Sequence, residues 1–136
     1  MNKYEHIKQE AYEANSQLPT LGLVLFTFGN VSAADRSLAV FAIKPSGVPY
    51  DELSPASMVI VDFDGQKVEG DLRPSSDTQT HAVLYKRWEK IGGIAHTHSL
   101  YATAWAQAQR SIPLYGTTHA DYTTADIPCA PPMNDV

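Results

Sequence analysis

The sequence predicts an α/β domain whose sheet is at least partly antiparallel. Three stretches have apolar residues at alternating steps of three and four, the spacing of amphipathic helices. Short runs rich in β-branched and aromatic residues alternate with these stretches and predict strands. Asp64-Gly65 lies between two such runs, and this dipeptide is the strongest short sequence signal for an antiparallel hairpin. With 136 residues, of which 43% are hydrophobic, the chain is long enough to bury one core, so we expect a single domain over residues 1–136.

The charge and the cysteine content exclude several classes of function. A formal net charge of -5 and the lack of a basic stripe argue against a nucleic-acid surface, whereas a small phosphorylated ligand needs only local hydrogen-bond donors. Cys129 is the single cysteine, so no intrachain disulfide forms, and we expect its side chain to be a small buried apolar group. The first residues lack the apolar core of a signal peptide, and no run reaches membrane-spanning length. We therefore expect a cytoplasmic protein.

The first predicted helix precedes a predicted buried strand. Pro19 follows the apolar stripe of this helix, and because proline breaks a helix interior, the helix is predicted to end there. The dense apolar and β-branched residues at 21–28 then predict a buried strand. In Gly29-Asn30, which follows, the glycine lets the backbone approach a ligand and the asparagine offers a donor and an acceptor; a tight turn is the alternative. The helix stripe consists of Tyr4, Ile7, Ala11, Ala14 and Leu18.

The next part of the chain predicts a strand, an anion-binding loop and a hairpin. Residues 38–43 predict a strand, and Lys44-Pro45-Ser46-Gly47 follows it with a cation, a hydroxyl and a backbone amide in close succession. Such a loop can hold an anion. Ser54-Pro55 predicts a short helical turn ahead of a strand at 58–63, which continues through the hairpin into 66–68.

A second helix is predicted to begin after a cluster of polar residues. Ser75, Ser76 and Asp77 stand at its N-terminus, where free backbone amides favour an anion. Ordinary helix capping is the alternative, although capping alone does not require a second serine. The stripe of this helix consists of His81, Leu84, Tyr85 and Trp88.

Two histidines separated by one residue are the strongest indication of a metal site. The apolar run at 92–99 predicts a strand, and along an extended chain the imidazoles of His96 and His98 leave the same face. Ser99 is a good N-cap for the helix predicted next, so the pair stands at the carboxyl end of a strand, where sites in α/β domains commonly lie. Two imidazoles on one face form half of a transition-metal site; a pair of exposed strand residues is the alternative.

The last part of the chain predicts a third helix and a polar segment. We expect the apolar stripe of this helix to pack in the core and not to bind a ligand. Residues 115–122 carry polar and ionisable groups in a stretch too short and too mixed for a regular amphipathic element, which indicates a site wall or a polar loop. His119 in this segment is a metal ligand, a catalytic base or an ordinary loop histidine. The stripe consists of Tyr101, Ala104, Trp105 and Ala108.

Five of these stretches, in this order, resemble the motifs of the L-ribulose-5-phosphate 4-epimerases, in the class II aldolase and epimerase superfamily. The resemblance covers essentially the whole chain, and five ordered motifs are far more specific than one. It implies a three-layer αβα fold around a largely antiparallel central sheet, a bound zinc ion, and homotetramers whose sites lie between neighbouring subunits. The motifs are residues 28–32, 43–48, 73–78, 92–99 and 116–122.

The resemblance also implies an activity, the zinc-dependent epimerisation of L-ribulose 5-phosphate to D-xylulose 5-phosphate in the catabolism of arabinose or a related pentose. The chemistry is a retro-aldol cleavage of the C3–C4 bond, followed by re-addition to the other face of the carbonyl. Members of the family are longer than this chain, and their third zinc histidine and a second acid/base tyrosine lie beyond the position of Val136. We therefore expect an N-terminal portion, truncated at its C-terminus, with little activity of its own.

Particular residues acquire expected roles from the resemblance. Asp121 matches the acid/base aspartate, which can move a proton at the C4 hydroxyl. A carboxylate and two neutral imidazoles suit zinc, and hydroxyl and amide donors in loops and at a helix N-terminus suit a phosphate. The expected metal ligands are Asp77, His96 and His98. The expected substrate-binding residues are Gly29, Asn30, Ser46, Gly47, Ser75 and Ser76.

Two other functions are the alternatives. Aldolases of the fuculose-phosphate and rhamnulose-phosphate type share the zinc and phosphate sites but release the cleaved fragments, and they tend to carry glutamate at the position of Asp77. Adducin-like proteins keep the fold as a non-catalytic interaction module that has lost the metal ligands. The presence of Asp77, His96, His98 and Asp121 favours an enzyme over such a module.

Overall fold

The computed structural model describes residues 3–132. The chain divides into two compact units, Met1–Thr97 and His98–Val136. The first unit contains the sheet and the two longest helices, and the second consists of short helices and loops. The expectation of one domain over the whole chain stays a prediction. In the described part of the chain, no helix is both long enough and apolar enough to cross a membrane.

The first unit is built on a five-stranded sheet. Its spatial order is fourth, third, second, first and fifth strand, and every neighbouring pair is antiparallel. The predicted antiparallel α/β class is therefore confirmed. In chain order the strands are β1 (Asn30–Asp35), β2 (Val40–Ile43), β3 (Val59–Asp62), β4 (Lys67–Glu69) and β5 (Gly93–His96).

Two helices cover opposite faces of this sheet, α1 (Glu5–Thr20) and α2 (Thr78–Arg87). Every residue of β2 is buried, because a strand with a helix on each face has no solvent side. Ala42 belongs to the core cluster that includes α1 residues, and its neighbour Phe41 belongs to the cluster that includes α2 residues. This alternation follows from the two-residue period of a strand. The three-layer αβα arrangement is therefore present in this unit.

Asn15 joins α1 to the beginning of β1. Its side chain donates to the Val31 carbonyl at 2.8 Å and accepts from the Val31 amide at 2.8 Å, as a neighbouring strand would. Because Asn15 is fully buried, these bonds hold the start of β1 away from water. The prediction ended this helix at Pro19, and α1 ends one residue later, at Thr20. Pro19 is tolerated inside the last turn because a proline there removes only a single N–H donor.

The prediction of a buried strand at residues 21–28 is wrong. The segment forms turns and irregular backbone, and β1 begins only at Asn30. Positive φ angles of 68° at Gly22, 53° at Phe26 and 75° at Gly29 interrupt the extended backbone that a strand requires. Phe26 is 83% exposed, so this apolar run forms surface instead of core. Leu21, Leu25 and Phe28 are exposed as well.

The predicted turns are confirmed. Ser54 caps a 3-10 turn at Pro55–Ser57, directly before β3. At the hairpin, the Gly65 amide donates to the Asp62 carbonyl at 3.0 Å, and β3 pairs with β4. The second predicted strand is present as β2, but it starts two residues later than expected because residues 36–39 form a turn.

The second unit contains α3 (Leu100–Gln107) and α4 (Gly116–Ala120). The prediction that α3 packs in the core is wrong: no residue of this helix is buried, and Tyr101 is 78% exposed. Within the described part of this unit, α4 has five residues, too few to cover the apolar side of α3. The apolar stripe of α3 is therefore a surface feature.

Two smaller expectations for this unit also change. A short helix, α4, occupies 116–120, where no regular element was expected. Cys129 is partly buried and is not a core residue, because it lies in a loop. Its backbone amide donates to Ser111 Oγ at 3.2 Å.

Candidate functional site

The candidate site lies at the edge of the sheet where β1 begins and β5 ends. Because β1 and β5 are antiparallel, Asn30 at the start of β1 is the register partner of His96 at the end of β5. Helix α2 begins at the same edge, with Asp77 as its N-cap residue. Strand pairing and a helix start thus bring together three residues that the sequence assigned to substrate and metal.

Asp77 is the centre of this cluster. Its Oδ2 accepts a hydrogen bond from Asn30 Nδ2 at 2.7 Å and lies 2.8 Å from His96 Nδ1. Burial raises the pKa of Asp77, but the hydrogen bond and charge of His96 and the hydrogen bond of Asn30 outweigh burial, so this pKa lies below its ordinary 3.8. Asp77 is therefore ionised at neutral pH and accepts the Nδ1–H of His96. In this orientation, Nε2 is the His96 nitrogen that would coordinate a metal ion.

Two loops meet beside Asp77. The Ser46 amide donates to the Arg73 carbonyl at 2.9 Å, and the Ser75 amide donates to the Lys44 carbonyl at 3.0 Å. Ser75 Oγ accepts from the Asp77 amide at 3.2 Å. The backbone amides of Ser46 and Ser75 are thus used to join the loops, and a ligand would meet the side chains of these serines.

The remaining expected substrate-binding positions lie on the outside of the same loops. Gly47 and Ser76 are both exposed. Asn30 Nδ2 reaches Ser75 Oγ at 3.2 Å, so Asn30 and the serine loop form one hydrogen-bonded group with Asp77.

Lys44 and Tyr50 support this site; the sequence placed Lys44 in a loop that can hold an anion and did not assign Tyr50 to the site. Lys44 is 2% exposed, its ammonium donates to the Thr27 carbonyl at 3.3 Å, and burial lowers its pKa. The Tyr50 hydroxyl donates to the carbonyls of Phe28 and Gly29 at 2.8 and 2.9 Å, and burial raises the pKa of Tyr50 to about 12. The cation expected to bind an anion therefore donates to backbone carbonyls, Val48 at 2.7 Å and Thr27 at 3.3 Å, and Tyr50 holds the backbone that precedes β1.

Gly29 is required by a close backbone approach. Its φ is 75°, and a Cβ at this position would lie 2.5 Å from Val24 Cγ1 and 2.9 Å from the His96 carbonyl oxygen. From the sequence, a ligand contact and a tight turn were the two alternative roles of Gly29-Asn30. In the structure, the glycine lets the chain pass against the end of β5 immediately before Asn30.

Gly29→Ala is expected to lower the free energy of unfolding by about 3 kcal/mol, against about 1 kcal/mol for Gly22→Ala. Both glycines have positive φ, 75° and 68°, so both variants carry the strain of the left-handed region. Only Gly29→Ala adds a steric clash, because no described atom lies within 4 Å of a Cβ at Gly22. Urea unfolding measures both losses. Equal losses in the two variants would contradict the close approach at Gly29.

A buried polar chain lies next to the site. His81 is 1% exposed, its Nδ1 lies 2.7 Å from Ser32 Oγ, and this Oγ lies 2.8 Å from the Tyr85 hydroxyl. Burial lowers the pKa of His81 to about 4; the charge of Asp77 opposes this shift, and the charge of His96 adds to it. His81 is therefore neutral at neutral pH. The sequence assigned His81 and Tyr85 to an apolar stripe, and the available signal was two hydrogen-bonding side chains four residues apart within that stripe.

The site residues fit a metal ion as part of a ligand set. A cavity of about 250 Å³ opens between α2 and β5, with Asp77, His81 and His96 on its wall. Asp77 and His96 are side chains of the kinds that bind zinc, and they are in contact. Within residues 3–132, no group of three His, Cys, Asp or Glu side chains is placed to hold a metal ion. Suitable donor types are therefore present in the described residues, and a complete ligand set is not in place.

Two expected site residues belong to the second unit. His98 is partly buried and precedes α3, and Asp121 is exposed at the C-terminal end of α4. His119 Nε2 is buried and makes no hydrogen bond to any described residue. The roles of His98, His119 and Asp121 stay predictions.

Comparison with known proteins identifies relatives over nearly the whole chain. Residues 9–135 match the family model of the Class II Aldolase and Adducin N-terminal domain. The chain is 54% identical over 131 residues to L-ribulose-5-phosphate 4-epimerase UlaF of Salmonella paratyphi C (strain RKS4594). That match covers 96% of this chain and 58% of the relative, so the chain spans little more than half the length of the relative.

Solved structures of aldolases have the same fold. An L-fuculose 1-phosphate aldolase superposes with a TM-score of 0.75 at 34% identity, over 79% of this chain and 51% of that chain. The L-fuculose-1-phosphate aldolase from Thermus thermophilus superposes with a TM-score of 0.77 at 23% identity, over 96% of this chain and 65% of that chain. The second likeness shows the fold alone. The expected class II aldolase-like fold is confirmed.

Proposed function

This chain belongs to the class II aldolase and adducin N-terminal domain family, and from that membership we propose that it is an L-ribulose-5-phosphate 4-epimerase. The activity is the conversion of L-ribulose 5-phosphate to D-xylulose 5-phosphate in the catabolism of arabinose or a related pentose. The observation that carries the proposal is the contact of ionised Asp77 with His96 and Asn30. The 54% identity to a curated epimerase supports this activity over the others. A cytoplasmic location fits a chain whose single cysteine forms no disulfide.

We expect zinc as the cofactor, with Asp77, His96 and His98 as its ligands in this chain. Carboxylate and imidazole are ligands that zinc prefers. The contact of Asp77 with His96 Nδ1 at 2.8 Å supports His96 as a ligand, because a carboxylate that holds Nδ1–H makes Nε2 the nitrogen that binds zinc. When bound, the ion supplies a Lewis acid that spreads the negative charge of an enediolate, an effect worth several kcal/mol in comparable sites. Neutral imidazoles leave the ion its positive charge, and the Asp77 carboxylate lowers that charge.

The substrate is a phosphorylated ketopentose, and we propose that loops at the sheet edge hold it. Asn30 Oδ1 is buried and accepts no hydrogen bond from any described residue, which suits an atom that accepts from a sugar hydroxyl. The serine hydroxyls of the two loops suit the phosphate, and local donors bind a dianion even in an acidic protein. The proposed substrate-binding residues are Gly29, Asn30, Ser46, Gly47, Ser75 and Ser76.

Asp121 is the acid/base residue of the proposed reaction. It takes the proton of the C4 hydroxyl as the C3–C4 bond breaks, and C4 becomes the aldehyde carbon of glycolaldehyde phosphate. The electron pair of the broken bond forms the enediolate of the three-carbon fragment. This enediolate adds back to the other face of the aldehyde, and the new C4 alkoxide takes a proton from a second acid on that side. The resemblance assigns this second role to a tyrosine of a neighbouring subunit.

We propose that the protein is a homotetramer with sites between subunits. The exposed apolar segment 21–28 supports association, because Phe26 in this segment is 83% exposed. The same segment borders a cavity of about 720 Å³, whose wall includes Val24, Tyr50 and Leu53. No nucleic-acid or membrane partner is proposed.

The test is a turnover assay in which the product is identified. Zinc content and conversion of L-ribulose 5-phosphate are measured on the 136-residue chain and on a version carrying any further residues of the same reading frame. We expect about one zinc per active chain and D-xylulose 5-phosphate as the product. If the short chain alone binds zinc and turns over, the expectation of little activity is wrong, and His119 becomes the first candidate for another ligand.

The same assay separates the two alternatives. The 34% identity to an L-fuculose 1-phosphate aldolase favours an aldolase as the second candidate. An aldolase releases the three-carbon fragment and the aldehyde phosphate, so accumulation of both without D-xylulose 5-phosphate would support that function. Zinc-free protein with no turnover in either preparation would favour an adducin-like interaction module.

A further inference from the structure

Helix α2 is attached to β1 by two side-chain contacts of matching spacing. Asp77 Oδ2 meets Asn30 Nδ2 at 2.7 Å, and four residues later His81 Nδ1 meets Ser32 Oγ at 2.7 Å. Four residues of a helix advance by about 6 Å, and two residues of a strand by about 6.7 Å. Both pairs therefore face each other on one side of each element, and the helix cannot slide along the strand without breaking both contacts.

Nδ1 of His81 is hydrogen-bonded to Ser32 in either tautomer of the imidazole. If Tyr85 OH donates to the Ser32 carbonyl at 3.1 Å, Ser32 Oγ–H donates to the Tyr85 oxygen at 2.8 Å, and His81 donates through Nδ1–H. If Tyr85 OH donates to Ser32 Oγ instead, Ser32 Oγ–H donates to His81 Nδ1 at 2.7 Å. Both assignments keep the bond between His81 and Ser32.

We propose that His81 is a positioning residue of the Asp77–His96 site, an inference that rests on the proposed function of that site. Through the hydrogen bond between its Nδ1 and Ser32 Oγ, it holds the first turn of α2 on β1. That attachment sets the Asp77 carboxylate against Asn30 and against Nδ1 of His96. His81 acts through Asp77 and does not touch the reacting atoms.

The structural context shows why this attachment has to be a side-chain contact. Asp77 makes no side-chain capping bond to its own helix, so the helix itself does not orient the carboxylate. The amide of His81 donates to the Asp77 carbonyl at 3.0 Å, which couples the two residues through one helical turn. A shift of His81 away from Ser32 therefore moves the backbone that carries Asp77.

The test is an NMR measurement on the metal-free, isotope-labelled full chain. The Nδ1–H proton signal of His96 and its exchange with solvent report the hydrogen bond to Asp77. We expect His96 Nδ1–H to be protected from exchange. Rapid exchange of this proton in the wild-type chain would overturn the proposal without any variant.

Variants then separate positioning from general stability. We expect Ser32→Ala and His81→Leu to lose the protected His96 signal and to bind zinc about 10-fold more weakly. His81→Asn, whose amide can donate near the position of Nδ1, is expected to restore both. Ser16→Ala is the matched control, since Ser16 is a partly buried serine whose hydroxyl donates to the Tyr12 carbonyl in α1. An unchanged His96 signal and zinc affinity in folded Ser32→Ala and His81→Leu would overturn the proposal.

The experiment distinguishes this inference from the proposed function. The His96 signal is measured without metal or substrate. If it is as expected and neither the 136-residue chain nor the extended version converts L-ribulose 5-phosphate, the attachment of α2 stands and the epimerase assignment fails.

Discussion

Asp77→Asn is expected to weaken zinc binding by about 10–100-fold and to lower turnover by at least about 100-fold. One oxygen of Asp77 meets both Asn30 Nδ2 and His96 Nδ1, at 2.7 and 2.8 Å. Charge-assisted hydrogen bonds are roughly twice as strong as neutral ones, so a neutral amide holds His96 less firmly. The substitution also removes a charged candidate ligand. Zinc affinity is measured by competition with a chelator, and turnover on the preparation that converts L-ribulose 5-phosphate.

Two matched variants make this result specific. Asp71→Asn changes an exposed carboxylate outside the site and is expected to leave zinc affinity and turnover unchanged. Asp121→Asn is expected to keep zinc and to stop epimerisation, because its proposed role is proton transfer. Normal turnover of Asp121→Asn would show that the acid/base assignment is wrong, and normal zinc binding by Asp77→Asn would remove Asp77 from the ligand set.

The second large effect is a loss of stability in mild acid. The pKa of His81 is about 4 in the folded protein, because burial disfavours its charged form, and its ordinary value is 6.5. Between these values the unfolded chain binds a proton at this residue and the folded chain does not, so stability falls as the pH falls. Over this window the loss is about 3 kcal/mol. The loss ends below about pH 4, where both states are protonated.

Urea unfolding of the metal-free protein at about pH 7 and about pH 4.5, with a chelator present, measures this loss. The groups that face His81 are Asp77, which favours its charged form, and His96, which disfavours it. The lowered pKa of Asp77 removes stability only at lower pH, near and below 3.8, so the two windows are separate. The His81→Asn variant has no titrating group at this position. We therefore expect its loss of unfolding free energy between the two pH values to be smaller than that of the wild type by about 3 kcal/mol. The same pH dependence in wild type and His81→Asn would show that His81 is not the group responsible.

The residues of the candidate site were predictable to different degrees. Asp77, His96, Asn30 and Ser75 were identified from motifs, and the structure places them in one hydrogen-bonded cluster. Lys44 was identified as the cation of a loop, but its buried position against the carbonyls of Thr27 and Val48 was not predictable, because it depends on how the backbone folds over it. His81, which belonged to the predicted stripe of the second helix, and Ser32, the last residue of the first motif, were not assigned to the site.

The sequence by itself determined the α/β class, the hairpin at Asp64-Gly65, the capped turn at Ser54 and the two helices that cover the sheet. These features depend on periodicity, proline, glycine and capping side chains, all of which act within a few residues. The same local rules failed where an apolar run needed a distant partner. Residues 21–28 and α3 have the composition of core elements, yet both are exposed at the surface.

Only the tertiary structure decided which polar side chains meet. Asp77 and His96 are 19 residues apart, and Ser32 and His81 are 49 residues apart, so each contact depends on strand register and on the face of α2 that lies on the sheet. A local pattern places a residue on a face, but burial and hydrogen-bond partners come from elements distant in sequence. The ionised state of Asp77 and the neutral state of His81 are set by those partners and by burial. For that reason the chemistry of the site was decided by the packing of α2 against β1 and β5.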